Sequence, residues 1–231
     1  RHPGGDRVST TTEPRAAIPQ TVTITAGRLT KVLGATAPFA SRDDTLPALC
    51  VVQLRCAGGA LTATATDRYV IGHARQSATG TFTRPWHLNR NDARALRKTV
   101  SRYSSNELVT LTEDGTTLLV AFGSTSMRFT EPAGADKFPS VGPILAKLPT
   151  NDTVGVLQPI GLTGRVLKPL LKAAEWEPYD CMRWLMTEPG QPFRVEIGNW
   201  FVAGVMPATL RGNERNVSVE LVGSVEAVEV V

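Results

Sequence analysis

"TFTRPWHLNRNDARALRKTVSRYSSNELVTLTEDGTTLLVAFGSTSMRFTEP", residues 81–132, holds one strand, one helix and three strands, in that order. "TFTRPWHL" (81–88) is strand-like, and "NRNDARALRKTVSRY" (89–103) has helical spacing, with Asn89 or Asn91 as a candidate N-cap. On a wheel of about 100° per residue, Ala93, Leu96, Val100 and Tyr103 share one side. Arg94, Arg97, Lys98 and Arg102 share the other. "ELVTLTE", "TTLLVAF" and "SMRFTEP" then alternate as a three-strand meander, its first hairpin turned at Asp114-Gly115.

The same order occurs upstream and downstream. Upstream, strand "TVTIT" (21–25) precedes helix "AGRLTKVLGATAPFA", with Leu29, Val32 and Leu33 at helical spacing and an end near Pro38. Strands "LPALCVVQLRCA", "ALTATAT" and "YVIGHARQ" follow. Downstream, strand "TVGVLQ" (153–158) precedes helix "GLTGRVLKPLLKAA", then strands "MRWLMTE", "FRVEIG" and "WFVAGVMP". Pro169 predicts a kink or an early stop in that third helix. Three copies at a period of about 50 to 65 residues make an internal repeat, and each unit needs neighbours to bury its helix. The expected organisation is a disordered tail over 1–19, a complete domain over 20–135 and a connector over 136–152. A partial second domain with a C-terminal extension would occupy 153–231.

Composition narrows the chemistry. The 231 residues are 42% apolar and 20% charged, as in globular proteins. No run approaches the ~20 apolar residues of a membrane span, and no charged segment leads into an apolar core at the start. Cys50, Cys56 and Cys181 lack CxxC spacing and suit reduced, mostly packed thiols of a cytoplasmic protein. The three histidines are scattered, which argues against a metal site. There is no G-x-S-x-G, Asp43-Asp44 beside Arg42 suits a charged loop, and neither Gly58-Gly59 nor Gly161 to Gly164 leads into GK[ST]. The expectation is a non-enzyme without a cofactor.

The helices carry charge of one sign. Arg28 and Lys31 lie over the first apolar stripe, and Arg165, Lys168 and Lys172 lie opposite Val166, Leu167, Leu170 and Leu171 on the third. One basic helix face is usually just a solvated face. Three repeats with almost no acid on that face better suit the regular charge of a phosphate backbone, since solvated faces usually mix signs. Few aromatics interleave these cations, so the contact is expected to be with double-stranded DNA and independent of sequence. The net charge of +4 permits such a partner.

The corner in "LTATATDRYVIG" (61–72) is unusual, because Thr66, Asp67, Arg68 and Tyr69 stand where a tight hairpin usually places Asn-Gly or Gly-Gly. Together with the repeat, this stretch resembles the bacterial DNA polymerase III beta subunit, the sliding clamp. Ala65-Thr66-Asp67 match that family's "ATDGHRLA". "FVAGVMPATL" is similar to its C-terminal "YVVMPMRL" at Val205-Met206-Pro207 and Leu210, and "ADKFPSV" resembles the Phe-Pro of its inter-domain linker. The likeness covers roughly residues 20–210.

What the resemblance implies is an α+β DNA-clamp fold, with antiparallel sheets outside and basic helices on one face. It implies a processivity factor in DNA replication that tethers DNA polymerase and repair proteins by short linear peptides. A clamp loader, homo-oligomers and a nucleoid-associated location would accompany it. By position, the family's peptide groove would be walled here by Leu49, Thr66, Arg68, Tyr69, Val70, Ile71, Pro149, Val154, Gly204 and Met206. There are departures. Family members have three domains of two units each, whereas this chain has three units. Arg68 and Tyr69 stand where the family has Gly and His, and the chain continues past "MPATL". The competing expectation is an adaptor, inhibitor or decoy that keeps the groove without forming a ring.

Overall fold

The computed structural model describes residues 20–149, 160–186 and 191–208. The tail over 1–19, strand 153–158 with Val154, Leu210 and the extension after it lie outside the described residues.

The first unit is β1 (Thr21–Thr25), α1 (Ala26–Thr36), β2 (Val51–Ala57), β3 (Ala60–Thr66) and β4 (Val70–Ser77), with a two-residue β5 (Thr79–Gly80). The second is β6 (Trp86–Asn89), α2 (Arg90–Val100), β7 (Leu108–Asp114), β8 (Thr117–Phe122) and β9 (Thr125–Thr130). A connector with the short helix α3 (Gly142–Lys147) leads to α4 (Gly164–Ala174), β10 (Met182–Leu185), β11 (Phe193–Ile197) and β12 (Phe201–Val205). The strand-helix-three-strand order is complete in the first two units, the third shows its helix and three strands among the described residues, and the fold is α+β with antiparallel sheets.

Local chemistry explains the boundaries. Asn89 caps α2, its side chain accepting from the Asn91 N–H at 2.9 Å, while Asp92 and the pair Arg97 and Lys98 complement the helix dipole. Gly58-Gly59 and Gly115 take the positive φ that their hairpin turns need. Three expectations need correction. Leu49 is not on a strand but on a 3-10 helix, Pro47–Leu49, because the proline has no N–H to donate to a ladder. The strand expected from Thr81 shortens to Trp86–Asn89, since Pro85 stops it on the N-terminal side. Helix α4 runs through Pro169 to Ala174, so the missing N–H neither ends it nor shortens it. Its apolar face, with Val166, Leu170 and Ala173 buried, holds it against the core.

The first strands of units one and two are exchanged. β1 pairs with β7 of the second unit, and β6 pairs with β2 of the first. The sheets run β5-β1-β7-β8-β9 and β10-β11-β12-β4-β3-β2-β6. The second sheet thus crosses from unit one into unit three through β4 and β12, with Val70 opposite Val205 and Phe201 opposite Ala74. Phe39, Trp86, Phe122, Leu29, Leu33, Leu96 and Leu111 are fully buried between sheets and helices. Each such side chain contributes about 2 kcal/mol of transfer free energy.

Candidate functional site

At the corner, Thr66 Oγ1 donates to the Val70 carbonyl at 2.8 Å and accepts from the Arg68 N–H at 3.2 Å. Asp67, only 9% exposed, accepts from the N–H groups of Tyr69 and Val70 at 3.0 and 3.1 Å through Oδ1. Its Oδ2 accepts from Arg165 Nε and Nη2 at 3.1 and 3.0 Å. Such a two-pronged, charge-assisted contact is geometrically specific. Arg165 lies in the first turn of α4, and its guanidinium also lies 4.8 Å from the centre of the Tyr69 ring. The Tyr69 carbonyl in turn accepts from the Met206 N–H at 3.0 Å. The corner therefore joins β3, β4, α4 and the end of β12, drawn from units one and three of the repeat. Arg68 sits at φ 84°, a left-handed conformation disfavoured for any residue with a Cβ.

Above this knot two large side chains face solvent: Tyr69 at 46% and Met206 at 43% exposure. Beside them the floor is apolar and closed. A Cβ on Gly204 would come within 3.1 Å of Leu148 and 3.8 Å of both Ile71 and Leu145. Leu145 and Leu148 come from the connector and were missed in the sequence, although their spacing of three after Pro143 is a short-helix signal. On the helix side of the corner, a cleft of about 940 Å³ runs between Ala40 and Arg42 and the α4 residues Arg165, Lys168 and Lys172.

The three long helices lie side by side, α1 between α2 and α4. At Gly34 any Cβ would fall 2.0 Å from the Trp176 ring, so the glycine lets the end of α4 approach α1 closely. Around the resulting depression of about 420 Å³ stand Arg94 and Arg97 from α2 and Lys172 from α4. Arg94 stays exposed, but partial desolvation, together with the neighbouring cations Arg90, Arg42 and Arg97, lowers its pKa from the ordinary value. Positive charge is concentrated there.

No family model and no curated protein matches the chain. Solved structures do match. The DNA polymerase III subunit beta from Pseudomonas aeruginosa aligns at a TM-score of 0.62 and 16% identity, over 85% of this chain and 67% of that one. The beta subunit from Thermotoga maritima aligns at 0.66 and 13%, over 86% and 67%. A Pseudomonas aeruginosa sliding clamp bound to griselimycin aligns at 0.60 and 16%, over 86% and 68%.

The chain has the DNA sliding-clamp fold.

Within the sliding-clamp fold the candidate residues divide. Arg28, Arg94, Lys98, Arg102 and Lys168 are exposed, Arg97 is half-buried, and none of them joins an ion pair among the described residues. Lys31 differs, being paired with Glu177 and seated 4.1 Å over the Trp200 ring at the seam between units one and three. Arg165 is held by Asp67, and Lys172 by Glu175 at 2.6 Å. At the groove, β4 and β12 bring Tyr69, Ile71, Gly204 and Met206 together, and Pro149 follows Leu148 there. Thr66 and Val70 are buried in the frame of the corner, Arg68 is exposed, and Leu49 is half-buried on its 3-10 helix. Among the described residues no cluster of three His, Cys, Asp or Glu could hold a metal, and no helix is long and apolar enough to cross a membrane.

Proposed function

We propose that the protein is a clamp-like, non-enzymatic scaffold of DNA replication. It rests on duplex DNA through its helices and tethers polymerase or repair proteins by short peptides at the corner. The observation that carries this is the side-by-side packing of α1, α2 and α4 with Arg28, Arg94, Arg97, Lys98, Arg102 and Lys168 outside any ion pair among the described residues. Uncompensated cations on adjacent helices suit phosphates spaced along a duplex, and nothing in the set reads base edges. The peptide role is supported by Tyr69 and Met206, an amphipathic ring and an adaptable thioether exposed over an apolar floor.

The test is binding to two unrelated duplex sequences across a salt series. Equal affinities that fall steeply with salt are expected. Absence of binding at low salt, with peptide binding retained, would favour an adaptor that does not engage DNA.

A further inference from the structure

The face of the seven-stranded sheet that carries the groove floor also carries a row of polar side chains. In register across β6, β2, β3 and β4 stand His87, Gln53, Thr64 and His73, and Val202 of β12 continues the row. Ile71 and Gly204, paired two residues along the same strands, share that face. Gln53, Thr64 and His87 are buried there, while their sequence neighbours Val52, Leu54, Ala63 and Leu88 take the core side.

The hydrogen bonds at one end of this row run in a fixed direction. Arg55 Nε can only donate, so Gln53 Oε1 accepts from it at 3.2 Å and the Gln53 amide donates to His87 Nε2 at 3.0 Å. The imidazole proton is then on Nδ1, which donates to Glu131 Oε1 at 2.5 Å. Glu131 Oε2 accepts from Arg84 Nη1 at 2.5 Å, and the Arg84 guanidinium rests 4.1 Å over the Trp86 ring. The carboxylate is thus clasped by two donors flanking Trp86, and one of them is a cation.

Glu131 stands at the start of the connector, just after β9. From there the chain crosses the sheet face from β6 towards β12. Phe138 sets its ring 5.6 Å from His87, and a 3-10 turn, Ala135–Lys137, packs against the 3-10 helix Pro47–Leu49 of unit one. Ala135, Val141 and Leu148 are buried, and Leu145 and Leu148 close over Gly204 beside Ile71. The connector is held by charge-assisted bonds at its start and by apolar contacts along the rest.

We infer that Glu131 is a positioning residue for the groove. By clasping Arg84 and His87 it holds the connector across the sheet, and so sets Leu145 and Leu148 against Gly204 without touching the groove itself. The effect on peptide affinity rests on the reading of the corner as a peptide site, whereas the hold on the connector stands on these contacts alone.

Hydrogen exchange and peptide titration on the full chain test it together. Glu131→Leu leaves the Arg84 and His87 donors without their acceptor. Exchange at 135–148 should speed by about 10-fold or more, and by more than that of β3 and β7. Affinity for a short Gln-headed, Leu-Phe-tailed peptide should fall by about 5-fold or more. Glu131→Gln still accepts from Arg84 and can donate to the other His87 tautomer, with the exposed Arg55 turning to solvent, so it should recover most of both. Val109→Ala, a core truncation on β7, controls for lost stability and should leave affinity unchanged. If Glu131→Leu does not fold, Arg84→Gln removes one of the two clasp donors and should move both readings in the same direction. Exchange at 135–148 that stays at the wild-type rate, or rises no more than in Val109→Ala, overturns the inference. So does unchanged affinity when the connector exchanges faster. A wild type that binds no peptide, together with a connector released in Glu131→Leu, supports the clasp and overturns the peptide reading instead.

Discussion

At the scale of single residues, the corner is defined by two neighbours with opposite effects. Asp67 holds two backbone N–H groups and Arg165 from a site 9% exposed, so removing its carboxylate leaves donors unpaired in a partly desolvated knot. Asp67→Ala should cost about 2 to 4 kcal/mol in chemical denaturation. Arg68, at φ 84°, should respond the other way. Arg68→Gly removes the left-handed strain, partly offset by a more flexible unfolded chain, and should be neutral or stabilising by up to about 1 kcal/mol. A destabilisation of more than about 1 kcal/mol there would show the side chain, rather than the backbone, to be what matters. Met206 is a surface residue at the end of β12, 43% exposed, so Met206→Ala should leave stability nearly unchanged. In a fluorescence titration with a short Gln-headed, Leu-Phe-tailed peptide, the same change should weaken binding roughly 10- to 30-fold if the strip beside Tyr69 is the anchor. The corner was legible as an oddity because its residue types contradict an ordinary hairpin. Its partner Arg165 was legible only as a basic residue, since a sequence separation of 98 hides the pair it makes with Asp67.

Elements were more readable than their pairings. Alternation and helical spacing located the strands and helices because each signal lies within one segment, as at Val109-Leu111 and at Ala93-Leu96-Val100. Nothing local tells β1 that it belongs beside β7 rather than β2. Either placement buries Val22 and Ile24, so the exchange is set by how two units close around one core. The helix faces illustrate the same limit. Lys31 has the spacing of a surface cation, but the turn after α4 brings Glu177 to it, Trp200 lies beneath it, and it becomes a seam residue. The α2 cations stay outside ion pairs among the described residues, so they provide the element-scale test. Changing Arg94, Arg97, Lys98 and Arg102 together to Ala should keep the fold and flatten the dependence of DNA affinity on salt. The slope should shrink by roughly 0.9 for each phosphate that is no longer neutralised. An unchanged slope in the folded variant would remove α2 from the DNA face.

At the scale of the whole molecule, two junctions carry titratable groups whose folded-state pKa values are depressed. His73, on β4 opposite Val202 of β12, bonds Thr64 Oγ1 at 2.8 Å, and burial with Arg75 nearby pushes its imidazole below the ordinary 6.5. Glu131 follows β9 and meets Arg84 and His87 at 2.5 Å each; burial opposes ionisation, but these hydrogen bonds prevail and hold its carboxyl below 4.5. His87 in turn lies 5.6 Å from the Phe138 ring of the connector. For both groups the folded state binds the proton less readily than the unfolded chain does. The stability each contributes is therefore present above its ordinary pKa and is lost as pH falls through the folded value. Unfolding free energy should thus be flat near neutrality, decline once pH drops below about 6.5 as His73 begins to titrate, and decline further below about 4.5 with Glu131. His73→Gln, which stays uncharged and can still bond Thr64, should abolish the first decline and leave the second. Because His73 lies on the β4 edge of the seam joining units one and three, the first decline should coincide with falling hydrogen-exchange protection in 201–205. Equally reduced protection across β7, β8 and β9 would mean instead that acid acts on the molecule as one cooperative unit.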